Sequence, residues 1–212
     1  MVERIVVFGA GGHAKVVIDA IALQGKYEVA LLADADPSLV GCMVQGYLIC
    51  SEAEGLAALD EGISTAIIAI GGNAARRRVA NLACEKGFRL ATVIHPAAVV
   101  SHTATIGPGT LVMPGSVINA DARVGMNTVI NTGAVVEHDS IVGDHVHIAP
   151  STTLCGGVHV GSGVLIGAGA TVVPGVTIGM DALIGAGSTV LADIPAGACA
   201  VGSPCRILER KS

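Results

Sequence analysis

The sequence predicts an N-terminal α/β domain with a parallel sheet over residues 1–92 and a parallel β-helix over residues 93–212. One observation predicts the first domain: a buried strand, a glycine-rich turn and a helical pattern follow one another at the N-terminus. A second predicts the β-helix: between Ile94 and Val190 a medium aliphatic residue recurs at every sixth position without a slip. The two patterns divide the chain between two kinds of architecture.

The first strand is predicted over residues 4–9 and ends in glycine. Residues 9–14, with the letters GAGGHA, match the G-x-G-x-x-A form of a nucleotide-binding turn, and a helical pattern follows. Glycines in such a turn let the backbone approach a phosphate, and the helix N-terminus favours the negative charge. A tight turn without any ligand is the alternative interpretation.

Further strands are predicted over residues 28–32 and 66–70. Asp34 follows the earlier of them, where an acidic side chain would bind a ribose or a base. The later strand leads to a helix with three arginines, residues 76–78, of which two are expected to face solvent. The domain is too short for two βαβαβ halves, so a mononucleotide or sugar nucleotide fits it better than a nicotinamide cofactor.

The six-residue repeat contains 17 consecutive aliphatic anchors. Its period fits neither an α-helix nor a heptad coiled coil, but it is typical of a parallel β-helix with one short strand and one bend per hexad. We expect every anchor to be buried, and the glycines that often follow an anchor to provide the backbone angles of the bends. The anchors are Ile94, Val100, Ile106, Val112, Ile118, Val124, Ile130, Val136, Val142, Ile148, Leu154, Val160, Ile166, Val172, Ile178, Ile184 and Val190.

Composition argues against several classes of protein. No apolar run is long enough to span a bilayer, and the first residues lack the apolar core of a signal peptide, so we expect a cytoplasmic protein without membrane contact. The six cysteines form no C-x-x-C pair, which argues against a zinc site and a disulfide framework. Net charge is −5, and no Lys or Arg lies between Arg123 and Arg206, so no nucleic-acid surface is expected.

The repeat resembles that of the hexapeptide-repeat acyltransferases, whose hexads wind into a left-handed β-helix. In that family three hexads form one triangular coil, so residues 18 positions apart lie above one another. The resemblance covers roughly the C-terminal half of the chain. It implies an acyltransferase, although a few members of the family are not acyltransferases.

His138 is the best candidate for a catalytic residue, because it is flanked by Glu137 and Asp139. A carboxylate beside an imidazole fixes its tautomer and raises its basicity, as a general base requires. With 18 residues per coil, Gly156 is expected directly above His138. A glycine there leaves room for a ligand and exposes a backbone N–H, which can stabilise the oxyanion formed when an amine attacks a thioester.

These features look like those of bacterial acetyltransferases that modify nucleotide-linked amino sugars, related to the sialic-acid O-acetyltransferases. Their E-H-[DE] motif implies that His138 is the base, that Asp139 raises its basicity and that Gly156 donates to the oxyanion. The same resemblance implies that His147, Ala168 and Ala186 line the acetyl-CoA site and that Asn131 contacts the sugar. The residues that it implies for the sugar nucleotide are Gly11, Gly12, His13, Asp34 and Gly71.

Two details of this resemblance concern the base of the sugar nucleotide and the phosphates of acetyl-CoA. Members of the group often have two adjacent acidic residues after the second strand, whereas this chain has Ala33 and Asp34, which leaves uracil or guanine open. Residues 201–206 resemble the G-x-P-A-[KR] ending of the acetyltransferases, with cysteine in place of alanine. That ending lies near the acetyl-CoA nucleotide, so Arg206, Arg210 and Lys211 are candidates for its phosphates; a frayed basic tail is the alternative.

The spacing of two histidines favours a homotrimer. His138 and His147 are nine residues apart, which is half of one coil, so they are expected on different sides of the prism. A threefold assembly can bring both to one acetyl group. The family is trimeric with active sites between subunits, in agreement with this spacing.

The resulting expectation is an acetyl-CoA-dependent N-acetyltransferase, without a metal, acting on a UDP- or GDP-linked amino sugar for bacterial surface glycan or glycoprotein biosynthesis. One alternative is O-acetylation of a sugar hydroxyl, which the sequence does not separate from N-acetylation. A second is a non-catalytic sugar-nucleotide-binding protein, against which His138 and Asp139 argue. A third is a nicotinamide-dependent oxidoreductase, which rests on the glycine-rich turn alone.

Overall fold

A computed structural model describes residues 2–208 and divides the chain into the units Met1–Pro96 and Ala97–Ser212. The first unit contains three α-helices, one 3₁₀ helix and seven strands. In chain order they are β1 (Glu3–Phe8), α1 (Gly12–Gln24), β2 (Tyr27–Asp34), β3 (Met43–Val44), β4 (Tyr47–Ser51), α2 (Glu52–Ala57), the 3₁₀ helix (Ala58–Glu61), β5 (Thr65–Ile68), α3 (Asn73–Lys86), β6 (Arg89–Leu90) and β7 (Val93–Ile94).

The sheet of the first unit is mostly parallel, as predicted. Its strand order is β3-β4-β2-β1-β5-β6, and only the β3–β4 pair is antiparallel. The sequence analysis missed the β3–β4 hairpin, whose two-residue turn places Gln45 and Gly46 at positive φ. Strand β1 is central, and the consecutive residues Ile5, Val6 and Val7 are fully buried, so both faces of the sheet are covered here.

Helices α1 and α3 both begin where a central parallel strand ends, after β1 and β5 respectively. Their N-caps are Gly11 and Gly72, and neither has a side-chain cap hydrogen bond. In contrast, Ser51 and Glu54 form a reciprocal capping box at the start of α2. Within residues 2–208, none of the helices has the length and apolar content needed to cross a membrane.

The second unit consists of short parallel strands joined by turns. Their bounds are β8 (Val99–Val100), β9 (Thr105–Ile106), β10 (Leu111–Val112), β11 (Val117–Ile118), β12 (Arg123–Val124), β13 (Val129–Ile130), β14 (Val135–Val136), β15 (Ile141–Val142), β16 (His147–Ile148), β17 (Thr153–Leu154), β18 (His159–Val160), β19 (Leu165–Ile166), β20 (Thr171–Val172), β21 (Thr177–Ile178), β22 (Leu183–Ile184), β23 (Thr189–Val190), β24 (Cys199–Val201) and β25 (Arg206–Ile207).

These strands form the three sheets of a parallel β-helix, which confirms the predicted fold. Within the second unit the strand orders are β25-β24-β22-β19-β16-β13-β10, β23-β20-β17-β14-β11-β8 and β21-β18-β15-β12-β9. Val117 lies opposite Val135, and Val135 opposite Thr153, so one coil contains 18 residues. The final pair, β24 and β25, is antiparallel and ends the coil.

The expectation that every anchor is buried holds from Val112 to Val190 and is wrong for the first three anchors. Ile94, Val100 and Ile106 are only half-buried. Val100 and Ile106 belong to the first coil of the unit, which has a neighbouring coil on one side only.

The role expected for the glycines after the anchors also needs correction. Those glycines are required by the close approach of successive coils: a Cβ on Gly125 would lie 2.6 Å from the carbonyl carbon of Gly143. From Gly109 to Gly187 the positive φ of each bend lies two residues further on, as at Gly109 (74°) and Asp139 (61°). Asp and Asn tolerate this conformation better than most other side chains, so the bends do not all need glycine.

Candidate active site

The first unit has a pocket of about 520 Å³ at the carboxyl ends of its parallel strands. Ligands of open α/β sheets bind at this edge, because the loops there diverge to either side of the sheet. All five residues that the resemblance implied for the sugar nucleotide line it. They are Gly11, Gly12, His13, Asp34 and Gly71.

Three of the lining glycines are not required by the fold. A Cβ added to Gly11, Gly12 or Gly71 meets no atom within 4 Å, and none of the three has a positive φ. Gly9 differs, because its φ is 107° and a Cβ would lie 2.8 Å from the oxygen of Ala69. The open space beside the three glycines is therefore available to a ligand that approaches the backbone closely.

Asp34 fixes the glycine-rich turn to the end of β2. Its carboxylate accepts hydrogen bonds from the backbone N–H of Ala10 at 2.6 Å and of Asp36 at 2.8 Å. The sequence analysis expected Asp34 to contact a ribose or base. In the structure the carboxylate holds two segments of the pocket wall in place and also lines the pocket.

An ion pair beside this pocket was not predicted from the sequence. Arg78 donates from Nη1 and Nη2 to the two carboxylate oxygens of Glu52, at 3.1 and 2.8 Å, and both residues line the pocket. Glu52 follows β4, which belongs to the unpredicted hairpin, so its position beside the pocket could not be predicted. Arg77 and Arg78 are exposed, as expected for two of the three arginines, whereas Arg76 is fully buried.

His138 and Asp139 lie in the turn that follows β14 in the second unit. The positive φ of Asp139 turns its carboxylate back to the imidazole, where Oδ2 lies 2.8 Å from Nδ1 of His138. This hydrogen bond raises the pKa of His138 above its ordinary value, and the negative charges of Asp139 and Glu137 act in the same direction. The imidazole is 63% exposed, so a substrate can reach it.

Gly156 lies directly against this imidazole, as the 18-residue spacing predicted. A Cβ on Gly156 would be 2.6 Å from Cε1 and 2.7 Å from Nε2 of His138. Within residues 2–208 the structure records no acceptor for the Gly156 N–H. The coil does not need this N–H, because proline occupies the equivalent position of five other hexads, at Pro96, Pro108, Pro114, Pro150 and Pro174.

Asn131 and His147 contact each other, although the resemblance implied them for different ligands. Asn131 follows β13, His147 begins β16, and Nδ2 of Asn131 lies 3.1 Å from Nε2 of His147. With the amide assigned this way, the amide nitrogen donates, so Nε2 accepts and the imidazole proton is on Nδ1.

The residues implied for acetyl-CoA follow one sheet of the β-helix. His147 is on β16, Ala168 and Ala186 are exposed in the turns after β19 and β22, and Arg206 is on β25. Strands β16, β19, β22 and β25 belong to the same sheet. Arg206 also lines a pocket of about 220 Å³. The other basic candidates, Arg210 and Lys211, lie outside the described residues.

His147 lies on a strand, whereas His138 lies in a turn that follows a strand of another sheet. The turn with His138 follows β14, whereas β16 belongs to the sheet that contains β19 and β22. In the described part of the chain, no group of three or more His, Cys, Asp or Glu residues is arranged to hold a metal ion.

The comparisons with known proteins agree with both units. Residues 4–83 match the model of the PglD N-terminal domain. Residues 121–156 and 157–192 match the model described as bacterial transferase hexapeptide (six repeats). No curated protein gives a significant match.

Solved structures match almost the whole chain. PerB from Caulobacter crescentus, solved with CoA and GDP-perosamine, is 41% identical, with 99% of both chains covered and a TM-score of 0.92. The acetyltransferase domain of PglB from Neisseria gonorrhoeae FA1090, solved with acetyl coenzyme A, is 34% identical, covering 98% of this chain and 100% of that one, with a TM-score of 0.90. WeeI from Acinetobacter baumannii AYE is 26% identical, with coverages of 97% and 100% and a TM-score of 0.86.

The agreement in sequence, in both units and over the full length of these relatives identifies the group. The chain belongs to the PglD family of hexapeptide-repeat sugar-nucleotide N-acetyltransferases.

Proposed function

We propose that this chain transfers the acetyl group of acetyl-CoA to the amino group of a nucleotide-linked amino sugar, with His138 as the general base. The observation that carries this proposal is the stacking of His138 on Gly156. This contact places an activated imidazole and an available backbone N–H side by side on the surface of the β-helix.

The chemistry follows from these two groups. The amino-sugar ammonium first releases one proton to solvent, and the neutral amine attacks the thioester carbonyl of acetyl-CoA while it gives a second proton to Nε2 of His138. The N–H of Gly156 donates to the oxyanion of the tetrahedral intermediate, where a preorganised donor lowers the barrier. The carbon–sulfur bond then breaks, and the proton held by His138 is transferred to the departing CoA sulfur. One acetyl group moves from sulfur to nitrogen, and one proton moves from nitrogen to sulfur.

Asp139 prepares His138 for this role. Its carboxylate accepts from Nδ1–H, which leaves the lone pair on Nε2 facing outward, and it stabilises the imidazolium that forms when the amine loses its proton. A raised pKa makes the imidazole a stronger base, at the cost of a smaller deprotonated fraction near neutral pH.

The pocket of the first unit is the proposed site for the nucleotide part of the substrate. Its open glycine-lined wall and the uncapped N-terminus of α1 suit the phosphates of a nucleoside diphosphate. Because PerB was solved with GDP-perosamine and is 41% identical, a GDP-linked amino sugar is the first candidate and a UDP-linked one the second. The N-acetyltransferase name of that relative favours an amine over a hydroxyl as the acceptor.

We also propose that the working enzyme is a homotrimer with active sites between subunits. His138 and the sheet with His147 face different sides of one β-helix, so a second copy is needed to bring acetyl-CoA bound along that sheet to His138. The sheets that contain β14 and β15 also carry exposed apolar side chains: Val99 is 62% exposed and Ile141 is 40% exposed. A neighbouring copy would cover them.

The proposal is tested by measuring CoA thiol release from acetyl-CoA with a panel of GDP- and UDP-linked amino sugars. We expect release with at least one of them, together with an N-acetylated product identified by mass spectrometry. The matching sugar nucleotide with a hydroxyl in place of the amine is the control and should give no release. Release with the hydroxyl compound alone would assign the chain to O-acetylation, and no release with any acceptor would contradict the proposal.

A further inference from the structure

Arg76 is an arginine in the interior of the first unit, with a fully buried side chain. Burial lowers its pKa to about 10, so it still carries a positive charge at neutral pH. A charge in the interior is costly unless its hydrogen-bonding groups are satisfied and its position serves a purpose. Arg77, the next residue of the same helix, is exposed.

The guanidinium of Arg76 holds the turn that joins β5 to α3. Nη1 donates to the carbonyl oxygens of Ile70 at 3.2 Å and Gly71 at 3.1 Å. Nη2 donates to Oδ1 of Asn73 at 2.8 Å. One side chain therefore fixes three of the four residues of the segment 70–73, and two of these, Ile70 and Gly71, line the nucleotide pocket.

The direction of these hydrogen bonds determines how the peptide unit between Gly71 and Gly72 is turned. A trans peptide unit directs its C=O and N–H to opposite sides, so the N–H of Gly72 points away from Arg76 when the Gly71 carbonyl points towards it. Across residues 2–208 no acceptor is recorded for the Gly72 N–H. A Cβ at Gly71 or Gly72 would also meet no atom within 4 Å, so a ligand can approach the backbone here.

We propose that Arg76 is a positioning residue for substrate binding: it fixes segment 70–73 as one wall of the nucleotide pocket, and its buried positive charge favours the diphosphate of the sugar nucleotide. Arg76 does not line the pocket, so it acts through the backbone and through its charge and not by direct contact. The inference rests on the proposed function, because it requires the pocket to hold a nucleoside diphosphate.

The test compares Arg76→Met, which removes the charge at similar length, with Arg76→Lys, which keeps the charge and loses the planar fork. Arg77→Met is the matched control on the exposed side of α3. Affinities for GDP, UDP and the corresponding nucleosides are measured by calorimetry, and KM and kcat with both substrates by thiol release.

We expect Arg76→Met to weaken binding of the preferred nucleoside diphosphate about 10- to 100-fold, and Arg76→Lys less, because a buried charge and a fixed backbone are both lost in the first variant. The KM of the sugar nucleotide should rise in parallel. Nucleoside affinity, the KM of acetyl-CoA and kcat at saturation should stay close to wild type. Arg77→Met should behave as wild type throughout.

Unchanged diphosphate affinity in Arg76→Met would overturn the inference. Equal losses of affinity for the nucleoside and for the nucleoside diphosphate would also overturn it, since they indicate a general distortion of the pocket. If Arg76→Met does not fold, the affinity of Arg76→Lys for the nucleoside diphosphate is the test. A wild-type affinity refutes the role of the planar guanidinium. A loss of diphosphate affinity without a loss of nucleoside affinity supports it. Failure of the wild-type protein to bind either diphosphate would contradict the proposed function itself.

Discussion

The imidazole of His138 lies against the backbone of Gly156 in the next coil, so closely that a methyl group on Gly156 would be 2.6 Å from Cε1. At this distance any side chain on residue 156 forces the imidazole to move. The φ of Gly156 is not positive, so its backbone conformation does not require glycine. The glycine is therefore explained by the space that His138 needs and by access to the N–H.

Gly156→Ala should displace His138 without unfolding the coil. We expect kcat to fall on the order of 10²-fold, because a displacement of about 1 Å at a reacting group can have this effect. The KM of the sugar nucleotide should stay within a few-fold of wild type. Steady-state kinetics at saturating concentrations of both substrates provides the measurement.

Gly157→Ala is the matched control for this variant. Gly157 has a φ of 66°, and a Cβ there meets no atom within 4 Å, so the substitution strains the backbone and leaves His138 untouched. We expect a loss of about 1 kcal/mol in the free energy of unfolding, with kcat retained. Equal effects of both substitutions on kcat would refute the specific role of Gly156.

Asp139→Asn should change the pH dependence of the reaction. A general base works in its deprotonated form, so kcat/KM rises as the pH rises through the pKa of free His138. Asp139 raises that pKa, and its replacement by a neutral amide should therefore move the rising limb to lower pH while lowering the plateau. The kcat/KM profile of both proteins at constant ionic strength tests this. If the rising limb of the kcat/KM profile stays at the same pH in Asp139→Asn, the ionisation of His138 does not control that limb.

Gly11→Val should affect one substrate only. The added side chain would occupy the open space beside the glycine-rich turn, so we expect the KM of the sugar nucleotide to rise about tenfold or more, with the KM of acetyl-CoA unchanged. Gly9→Ala is the contrasting variant. Its Cβ would meet the oxygen of Ala69 at 2.8 Å, so it should lower the melting temperature. If Gly11→Val instead raised the KM of the sugar nucleotide and the KM of acetyl-CoA equally, this would indicate a folding defect.

Mixing His138→Ala and His147→Ala subunits tests the shared site. If each active site takes His138 from one subunit and His147 from a neighbour, mixed trimers contain some sites with both histidines. We expect the mixture to be more active than either parent after subunit exchange, as verified by native mass spectrometry with a mass-tagged partner. Activity no higher than the parents after verified exchange would argue against a site shared in this way.

The architecture was predictable where the chain repeats itself. One coil places Val117, Val135 and Thr153 above one another, and the same six-residue period fixes the position of Gly156 over His138. Every hexad carries the same local pattern, so the β-helix is specified many times along the sequence. The first coil departs from it because its anchors lack a neighbouring coil on one side.

Parts of the first unit were less predictable because they depend on contacts that are distant in sequence. Glu52 meets Arg78 across 26 residues, and Asp34 holds Ala10 across 24. The burial of Arg76 did leave a signal, since it precedes Val79, Ala80 and Ala83 at helical spacing on the buried face of α3. The burial of Arg76 is therefore indicated by its place on the apolar face of α3 and not by the run of three arginines to which it belongs.

The role of His138 as the base is tested most directly by kcat of His138→Ala, with both substrates saturating. We expect a fall of about 10²- to 10⁴-fold, since this is the usual contribution of a positioned general base. The KM of the sugar nucleotide and the melting temperature should remain near wild type. His159→Ala, which removes an exposed histidine on β18 to which no role is assigned, is the control and should retain full activity. A near-normal kcat in His138→Ala would contradict the assignment of His138 as the base.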